Sequence, residues 1–194
     1  GWKGVWLEAD PRAVRSIQSQ FAAELASGQL RLVHSFVTRE NAPELLRAAH
    51  VPNEIDVMSI DVDRNTSHVW RSLTAFRPRV LIIEYNASIP ASDEWEIPYD
   101  ADAVWDESSY FGASLKSLER IGAERGYVLV ACERTGLNAF FVRTDAAADH
   151  FPGPLNAEGC YEPPRYFLTR EWGHPRRWVE ERLQRRRTWA SASE

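Results

Sequence analysis

Short apolar runs of strand length alternate with helical segments over residues 1–145, and this alternation restricts the fold more than any other feature. The runs are Gly4–Glu8, Leu30–Val37, Ile55–Ile60, Val80–Ile83, Tyr127–Ala131 and Ala139–Val142. Between them apolar residues recur at helical spacing, as at Val14, Ile17 and Phe21. The alternation predicts an α/β fold with a mostly parallel sheet and helices on both faces, and the short link between the last two runs predicts an antiparallel hairpin.

Capping residues mark the ends of the predicted helices. Asp10 followed by Pro11 is typical of a helix start, and Ser114 is suited to cap a helix over 115–123. Gly28 and Gly126 are typical of residues that end a helix.

Polar side chains follow three of the apolar runs. Glu8 ends the first, Asp61 and Asp63 follow the third, and Glu84 and Asn86 follow the fourth. In open α/β sheets, ligands bind outside the carboxyl ends of the strands. Since gathering like charges at one edge of a core brings no stability, we expect these residues to face one crevice.

Composition argues against several classes of function. The 194 residues carry a net charge of −5, and the stretch between Arg79 and Lys116 holds eight acids and no Lys or Arg. This charge argues against nucleic acid and favours a cation, a metal or a neutral polyol as ligand. No apolar run approaches the roughly 20 residues that span a membrane. With two cysteines and no signal-peptide pattern at the start, the chain is predicted to be cytoplasmic.

Two regions fall outside the alternation. Residues 85–112 form a long irregular segment rich in aromatics, which predicts either a lid or binding loop, or a loop whose aromatics pack onto the domain. Residues 146–194 contain several prolines and then a predicted basic amphipathic helix after Pro175. We therefore predict a domain over 1–145 and a C-terminal extension over 146–194.

Several segments, taken in order, carry a resemblance to a known family. They are GWKGVWLEADP, VTREN, EIDVMSIDVDRNTSHVW, RPRVLIIEYNA, YFGASLKSLERIGAERGYVLVAC and GLNAFFVRTD. Together they resemble the FkbM-type family of S-adenosylmethionine-dependent methyltransferases. The resemblance implies a Rossmann-like sheet with an antiparallel last strand, and methyl transfer to a hydroxyl of a small molecule, sugar or other glycan, or natural product.

The resemblance also implies which residues bind the cofactor. Glu8 matches the acid that holds the ribose hydroxyls, and a carboxylate can accept hydrogen bonds from both hydroxyls of a diol. Val37 and Asn41 lie in the segment that matches the adenine site. Asn41 is equally suited to be a helix N-cap.

Catalytic and metal-binding residues are expected among the acids. Asp61, Asp63 and His68 are candidate catalytic residues, and the resemblance implies that Asp61, Glu84 and Asn86 could hold Mg²⁺ or Mn²⁺. Three alternatives remain open. Asp63 could instead form an Asx-type turn with Asn65, Arg64 could neutralise the acids without a metal, and His68 could be a surface residue without a role.

One part of the family pattern does not appear in the sequence. The first strand and its glycine-rich loop should precede GWKGVW and lie between the strands that end at Glu8 and Asp61. We therefore expect a fragment of a longer protein whose two open strand edges favour a homo-oligomer. The alternative function is a non-catalytic remnant or interaction module that keeps the methyltransferase fold.

Overall fold

A computed structural model describes residues 1–147, 150–151 and 155–165. These residues form two compact units. The first comprises Gly1–Ile55 and His68–Arg77, and the second comprises Asp56–Ser67 and the described residues from Pro78 onward. The helix predicted after Pro175 lies outside the described residues, and the predicted boundary at residue 145 stays a prediction.

The first unit contains a pair of parallel strands. Its elements are β1 (Gly4–Glu8), α1 (Pro11–Gln20), α2 (Ala22–Ala26), β2 (Leu30–His34) and α3 (Ala42–Ala48). The pairing runs from Gly4 opposite Leu30 to Glu8 opposite His34. The sequence predicted β2 to continue to Val37, and this was wrong because β1 ends at Glu8, whose carbonyl accepts the Ser35 N–H at 2.9 Å as the last bond of the pair. The carboxyl ends of both strands therefore lie side by side.

A single helix was expected through Phe21, but the chain forms two. Phe21 leaves the helical conformation with φ −113° and ψ 31°. Its ring packs edge-on against Trp6 with centroids 4.9 Å apart. This tertiary contact accompanies the break and overrides the apolar periodicity, which continues through the residue. The Asp10 cap was predicted correctly, since its carboxylate accepts the Arg12 N–H at 2.8 Å.

The second unit contains most of a mixed four-stranded sheet. Its strands are β3 (Glu54–Ile60), β4 (Arg77–Glu84), β5 (Tyr127–Cys132) and β6 (Asn138–Arg143), in the order β3-β4-β6-β5. The last strand, β6, runs antiparallel to both β4 and β5. The expected hairpin is thus confirmed, and so is a mixed α/β fold. The strand β4 starts earlier than predicted because the Arg77 N–H already bonds the Asn53 carbonyl at 2.6 Å.

Four helices and one 3-10 turn complete the described chain. They are the 3-10 turn Asp63–Asn65, α4 (Thr66–Ser72), α5 (Leu115–Glu124), α6 (Thr144–Ala147) and α7 (Ala157–Cys160). The hydroxyl of Ser114 caps α5 as predicted, accepting the Ser117 N–H at 3.1 Å. Both α5 and α7 pack against β5. Of the helices in the described part of the chain, none is long and apolar enough to cross a membrane.

Candidate functional site

Three carboxyl groups come together at the ends of β3 and β4. Asp61 directly follows β3, Asp63 opens the 3-10 turn, and Glu84 is the last residue of β4. Burial, followed by the charges of Asp61 and Asp63, raises the pKa of Glu84 well above its ordinary value of 4.5. Burial and the charge of Asp63 raise the pKa of Asp61, and burial raises the pKa of Asp63. We call these three residues the acid cluster.

The local backbone explains how the two aspartates are held. The backbone N–H of Asp63 lowers the pKa of Asp61 and partly offsets the effect of burial. Asp63 adopts φ 54°, a left-handed conformation that aspartate tolerates better than most residues. The Thr66 hydroxyl closes the turn by donating to the Asp63 carbonyl at 3.2 Å. Among the described residues, the structure records no hydrogen bond to the Asp63 side chain, and the predicted Asx-type turn stays a prediction.

Arg64 does not balance these charges. Its Nε is buried and lacks a hydrogen-bond partner. The charges that shift the pKa values of Asp61 and Glu84 come from neighbouring carboxyls and not from Arg64. Its backbone φ is not positive, so the backbone at Arg64 is not in the left-handed region.

Two acceptor atoms in this region lack a donor. Glu84 Oε2 is buried and has no hydrogen-bond partner, and neither has Asn65 Oδ1. Asn65 is 3% exposed and lies in the same turn as Asp63. Its Nδ2 donates to the Asp100 carbonyl at 2.8 Å, which fixes the orientation of the amide. A buried acceptor without a donor costs about 1–3 kcal/mol, so we expect a water molecule or a ligand group to donate to each of these atoms.

Asn86 has a structural role in the loop. Its Nδ2 donates to the carbonyls of Ser109 and Phe111 at 2.8 and 2.9 Å. Its Oδ1 accepts the Ser88 N–H at 3.0 Å, and the residue is fully buried. These bonds close the base of segment 85–112. The predicted metal-binding role of Asn86 therefore competes with three existing hydrogen bonds.

The loop that follows β4 approaches the acid cluster through its backbone. A Cβ added at Gly112 would lie 3.8 Å from the Asp63 carbonyl oxygen. The aromatics of the loop pack on each other, with ring centroids 5.5 Å apart for Trp95–Tyr110 and 6.2 Å for Trp105–Phe111. These contacts fit the alternative in which the aromatics pack, and the role of the segment as a lid or binding loop stays a prediction.

Two acids of the loop, Glu94 and Glu96, form ion pairs with one arginine. Arg120 on α5 forms ion pairs with Glu94, with Glu96 at 3.6 Å and with Glu124 at 2.7 Å. Glu96 also accepts a hydrogen bond from the Ser67 hydroxyl at 3.3 Å.

The cofactor candidates lie in the first unit. Glu8 ends β1, and its Oε1 accepts the Asp10 N–H at 2.8 Å. After the neighbouring strand, Asn41 accepts the Thr38 N–H at 2.8 Å and donates to the Phe36 carbonyl at 2.9 Å. Asn41 occupies the N-cap position of α3 without making a side-chain cap bond. Glu8 and the turn that contains Val37 therefore follow the ends of two adjacent parallel strands.

Sequence reasoning missed two residues with a place in these sites. Phe36 is 47% exposed directly after β2, and an exposed aromatic next to the predicted adenine segment was the available signal. Asn65 was considered only as an oxygen ligand or turn residue. His68 lies on α4 within the first unit, and its catalytic role stays a prediction.

Cysteine chemistry has no support near the sheet. Burial raises the pKa of the Cys132 thiol to about 12, so this thiol remains protonated at neutral pH. Within the described ranges, no group of three His, Cys, Asp or Glu side chains is arranged to hold a metal ion.

No family model, curated protein or solved structure matches the chain.

Proposed function

We propose that the chain is an S-adenosylmethionine-dependent O-methyltransferase acting on a hydroxyl of a small molecule or glycan. The observation that carries the proposal is the position of β6, the last strand, which runs antiparallel between β4 and β5. This is the antiparallel last strand that the family resemblance implies. Parallel strands ending in Glu8 in one unit, and strands ending at the acid cluster in the other, support the same reading.

The cofactor would contribute a methyl group on a positively charged sulfur, and Glu8 is suited to bind its ribose. One carboxylate oxygen of Glu8 accepts the Asp10 N–H at 2.8 Å, and this bond restricts the rotation of the carboxylate. A carboxylate held in this way accepts hydrogen bonds from a diol without first losing its own rotational freedom.

Asp63 is the best candidate for the general base. Within the part of the chain that the structure describes, no hydrogen bond to the Asp63 carboxylate is recorded. Its raised pKa brings it closer to neutral, where a carboxylate removes a hydroxyl proton more effectively. Asp61 would then position the turn that carries the base.

The test of cofactor binding is calorimetry with S-adenosylmethionine and its demethylated product. We expect Glu8→Gln to weaken binding by at least about tenfold, because losing one charge-assisted hydrogen bond costs about 1.5–3 kcal/mol. Glu44→Gln is the matched control, since Glu44 is an exposed acid of the same unit that pairs only with Arg47. Equal affinity of both variants and the unchanged chain would remove Glu8 from the site.

A second test concerns the predicted Mg²⁺ or Mn²⁺. The donor set is rich in the oxygen atoms that these ions prefer, but the amide of Asn86 is already occupied. The proposed reaction therefore includes no step through a metal. We expect methyl transfer to survive exhaustive chelation, with Asp63→Asn abolishing it. Activity that chelation removes and Mg²⁺ or Mn²⁺ restores would assign an ion to Asp61 and Glu84.

A further inference from the structure

Segment 98–107, in the middle of the loop after β4, differs from the rest of the loop in burial. None of its residues is buried, whereas Ile97 before it and Ser108 after it are 1% and 6% exposed. The structure describes the segment in full, and no helix or strand lies within it. A segment with few buried residues opens locally more easily than the elements around it.

The two flanks of this segment are fastened to each other. The Ile97 N–H donates to the Gly112 carbonyl at 2.9 Å, and Glu96 pairs with Ala113 in an antiparallel bridge. The second flank is also held by Asn86, through the two carbonyl bonds described above. Segment 98–107 therefore begins and ends at fixed points.

Hydrogen bonds within the segment hold its backbone together. The Asp102 N–H donates to Asp100 Oδ1 at 3.1 Å, and the Ala103 N–H donates to the Asp100 carbonyl at 3.4 Å. The indole N–H of Trp105 donates to the Ser108 carbonyl at 2.8 Å, next to the second fixed point. These bonds favour movement of the segment as one piece.

A side chain from outside the loop fastens the middle of the segment. Asn65 Nδ2 donates to the Asp100 carbonyl at 2.8 Å. Asn65 lies in the 3-10 turn that also contains Asp63, and both the turn and the loop belong to the second unit. The hydrogen bond thus joins segment 98–107 to the turn that carries the candidate base.

We propose that residues 98–107 form a flap that opens away from the 3-10 turn as one piece, and that the hydrogen bond from Asn65 to Asp100 is its latch. Opening of the flap controls access of the acceptor hydroxyl to Asp63. This role in access rests on the proposed methyltransferase function, whereas the movement of the flap does not.

The latch is weak because two effects of closure oppose each other. Closure gains the hydrogen bond from Asn65 Nδ2, but Asn65 Oδ1 is then buried without a protein donor. When the flap opens, water reaches both ends of the amide. Closure is therefore only weakly favoured, unless a water molecule or a ligand group donates to Oδ1.

The test is limited proteolysis of the full chain with endoproteinase Asp-N, which cleaves before aspartate. Asp100, Asp102 and Asp106 place three cleavage sites in the flap. We expect Asn65→Leu to raise the rate of cleavage at these sites at least about fivefold, because cleavage follows the population of the open form. Mass spectrometry identifies the sites, and the rate of cleavage elsewhere should not change.

A matched control and a second variant accompany this measurement. Asn156→Ala removes an asparagine of the same unit whose Oδ1 accepts the Gly159 N–H at 2.8 Å, far along the chain from the loop. It should leave cleavage of the flap unchanged. If Asn65→Leu fails to fold, Asn65→Ala removes the same donor. Pro98→Gly loosens the exposed start of the flap and should also raise cleavage.

Hydrogen exchange shows whether the flap moves separately. We expect Asn65→Leu to speed exchange at least about fivefold in residues 99–107 and to leave residues 109–114 unchanged. Three results would overturn the proposal: unchanged flap cleavage in a folded Asn65 variant, an equal rise in Asn156→Ala, or faster exchange that extends through residues 109–114. Both measurements need no cofactor, so they fail separately from the methyltransferase. A moving flap in a chain without methyl transfer would keep the latch and remove its role at Asp63.

Discussion

At the scale of single residues, Glu84 is held in an unfavourable state by its surroundings. Burial and two neighbouring carboxyls raise its pKa well above 4.5, and one of its oxygens has no partner. The group is charged in the unfolded chain at any pH above its ordinary range. Charging it in the folded protein therefore costs stability, and the cost is present in full above the raised pKa.

Glu84→Gln should consequently stabilise the protein at alkaline pH. We expect the free energy of unfolding to rise by about 1–3 kcal/mol at pH about 9, the usual cost of a buried group without a partner. As the pH falls through the raised pKa, Glu84 takes up a proton in the folded state and the advantage shrinks. It should vanish near the ordinary value of 4.5.

Urea unfolding at several pH values measures this difference. Glu107→Gln is the control, because Glu107 is exposed and should show no pH-dependent gain. A Glu84→Gln variant less stable than the unchanged chain at high pH would mean that the carboxylate has a partner in solution.

At the scale of elements, the sequence predicted what local chemistry decides. The caps at Asp10 and Ser114 and the positive φ of Gly28 and Gly126 follow from residues adjacent to the helices they end. Prediction from the sequence failed where a contact between residues far apart in the chain determines the local structure. The break at Phe21 involves Trp6 on another element, and the pattern of apolar residues contains no sign of it.

The candidate site shows the same division. The sequence predicted that Asp61 and Glu84 lie at the ends of strands, because the apolar runs mark where strands end. The hydrogen bonds from Asn86 to the Ser109 and Phe111 carbonyls could not be predicted, since these partners are 23 and 25 residues away in the sequence. The missing donor of Asn65 Oδ1 is likewise a property of the packed structure and not of its neighbours in the chain.

The link between β5 and β6 is packed against residues 162–165, and glycine is required there. Gly136 has φ 76°, and a Cβ at this position would lie 2.6 Å from the Pro163 carbonyl oxygen. The Arg165 N–H also donates to the Thr135 carbonyl at 2.8 Å. Gly126 has a similar φ of 77° but nothing within 4 Å of its would-be Cβ.

The two glycines make a matched pair of substitutions. Gly126→Ala should lower the free energy of unfolding by about 1–2 kcal/mol, which is the cost of left-handed backbone alone. Gly136→Ala should lower it by a further amount of about 1–3 kcal/mol, because the new methyl group collides with backbone. Thermal unfolding compares them, and equal losses would show that residues 162–165 do not pack on the link in solution.

At the scale of the whole molecule, open strand edges are the feature most prone to pairing with other chains. The strand β3 lies at one end of its sheet and carries Val57 with 43% of its surface exposed. An exposed edge with an apolar side chain can pair with the edge of another chain. The homo-oligomer predicted from the sequence has this edge as a physical basis.

Val57→Lys should reduce self-association, because charged residues on edge strands oppose pairing between chains. We expect the average mass from light scattering at high protein concentration to fall toward that of a monomer. Val104→Lys is the control, since Val104 is 74% exposed but lies in the loop and not on a strand. An identical fall in both variants, or a chain that is monomeric from the start, would contradict the edge mechanism.

The hydrogen bonds of Asn86 also bear on how this protein could diversify. They hold together the two ends of segment 85–112, where the Asn86 N–H also donates to the Ala113 carbonyl at 2.8 Å. Residues 101–104 follow Asp100, whose carbonyl accepts a hydrogen bond from the Asn65 side chain. Extra residues inserted there would change only loop entropy, which grows slowly with length. Insertions at residues 101–104 should therefore be tolerated while the strands and the acid cluster stay as they are.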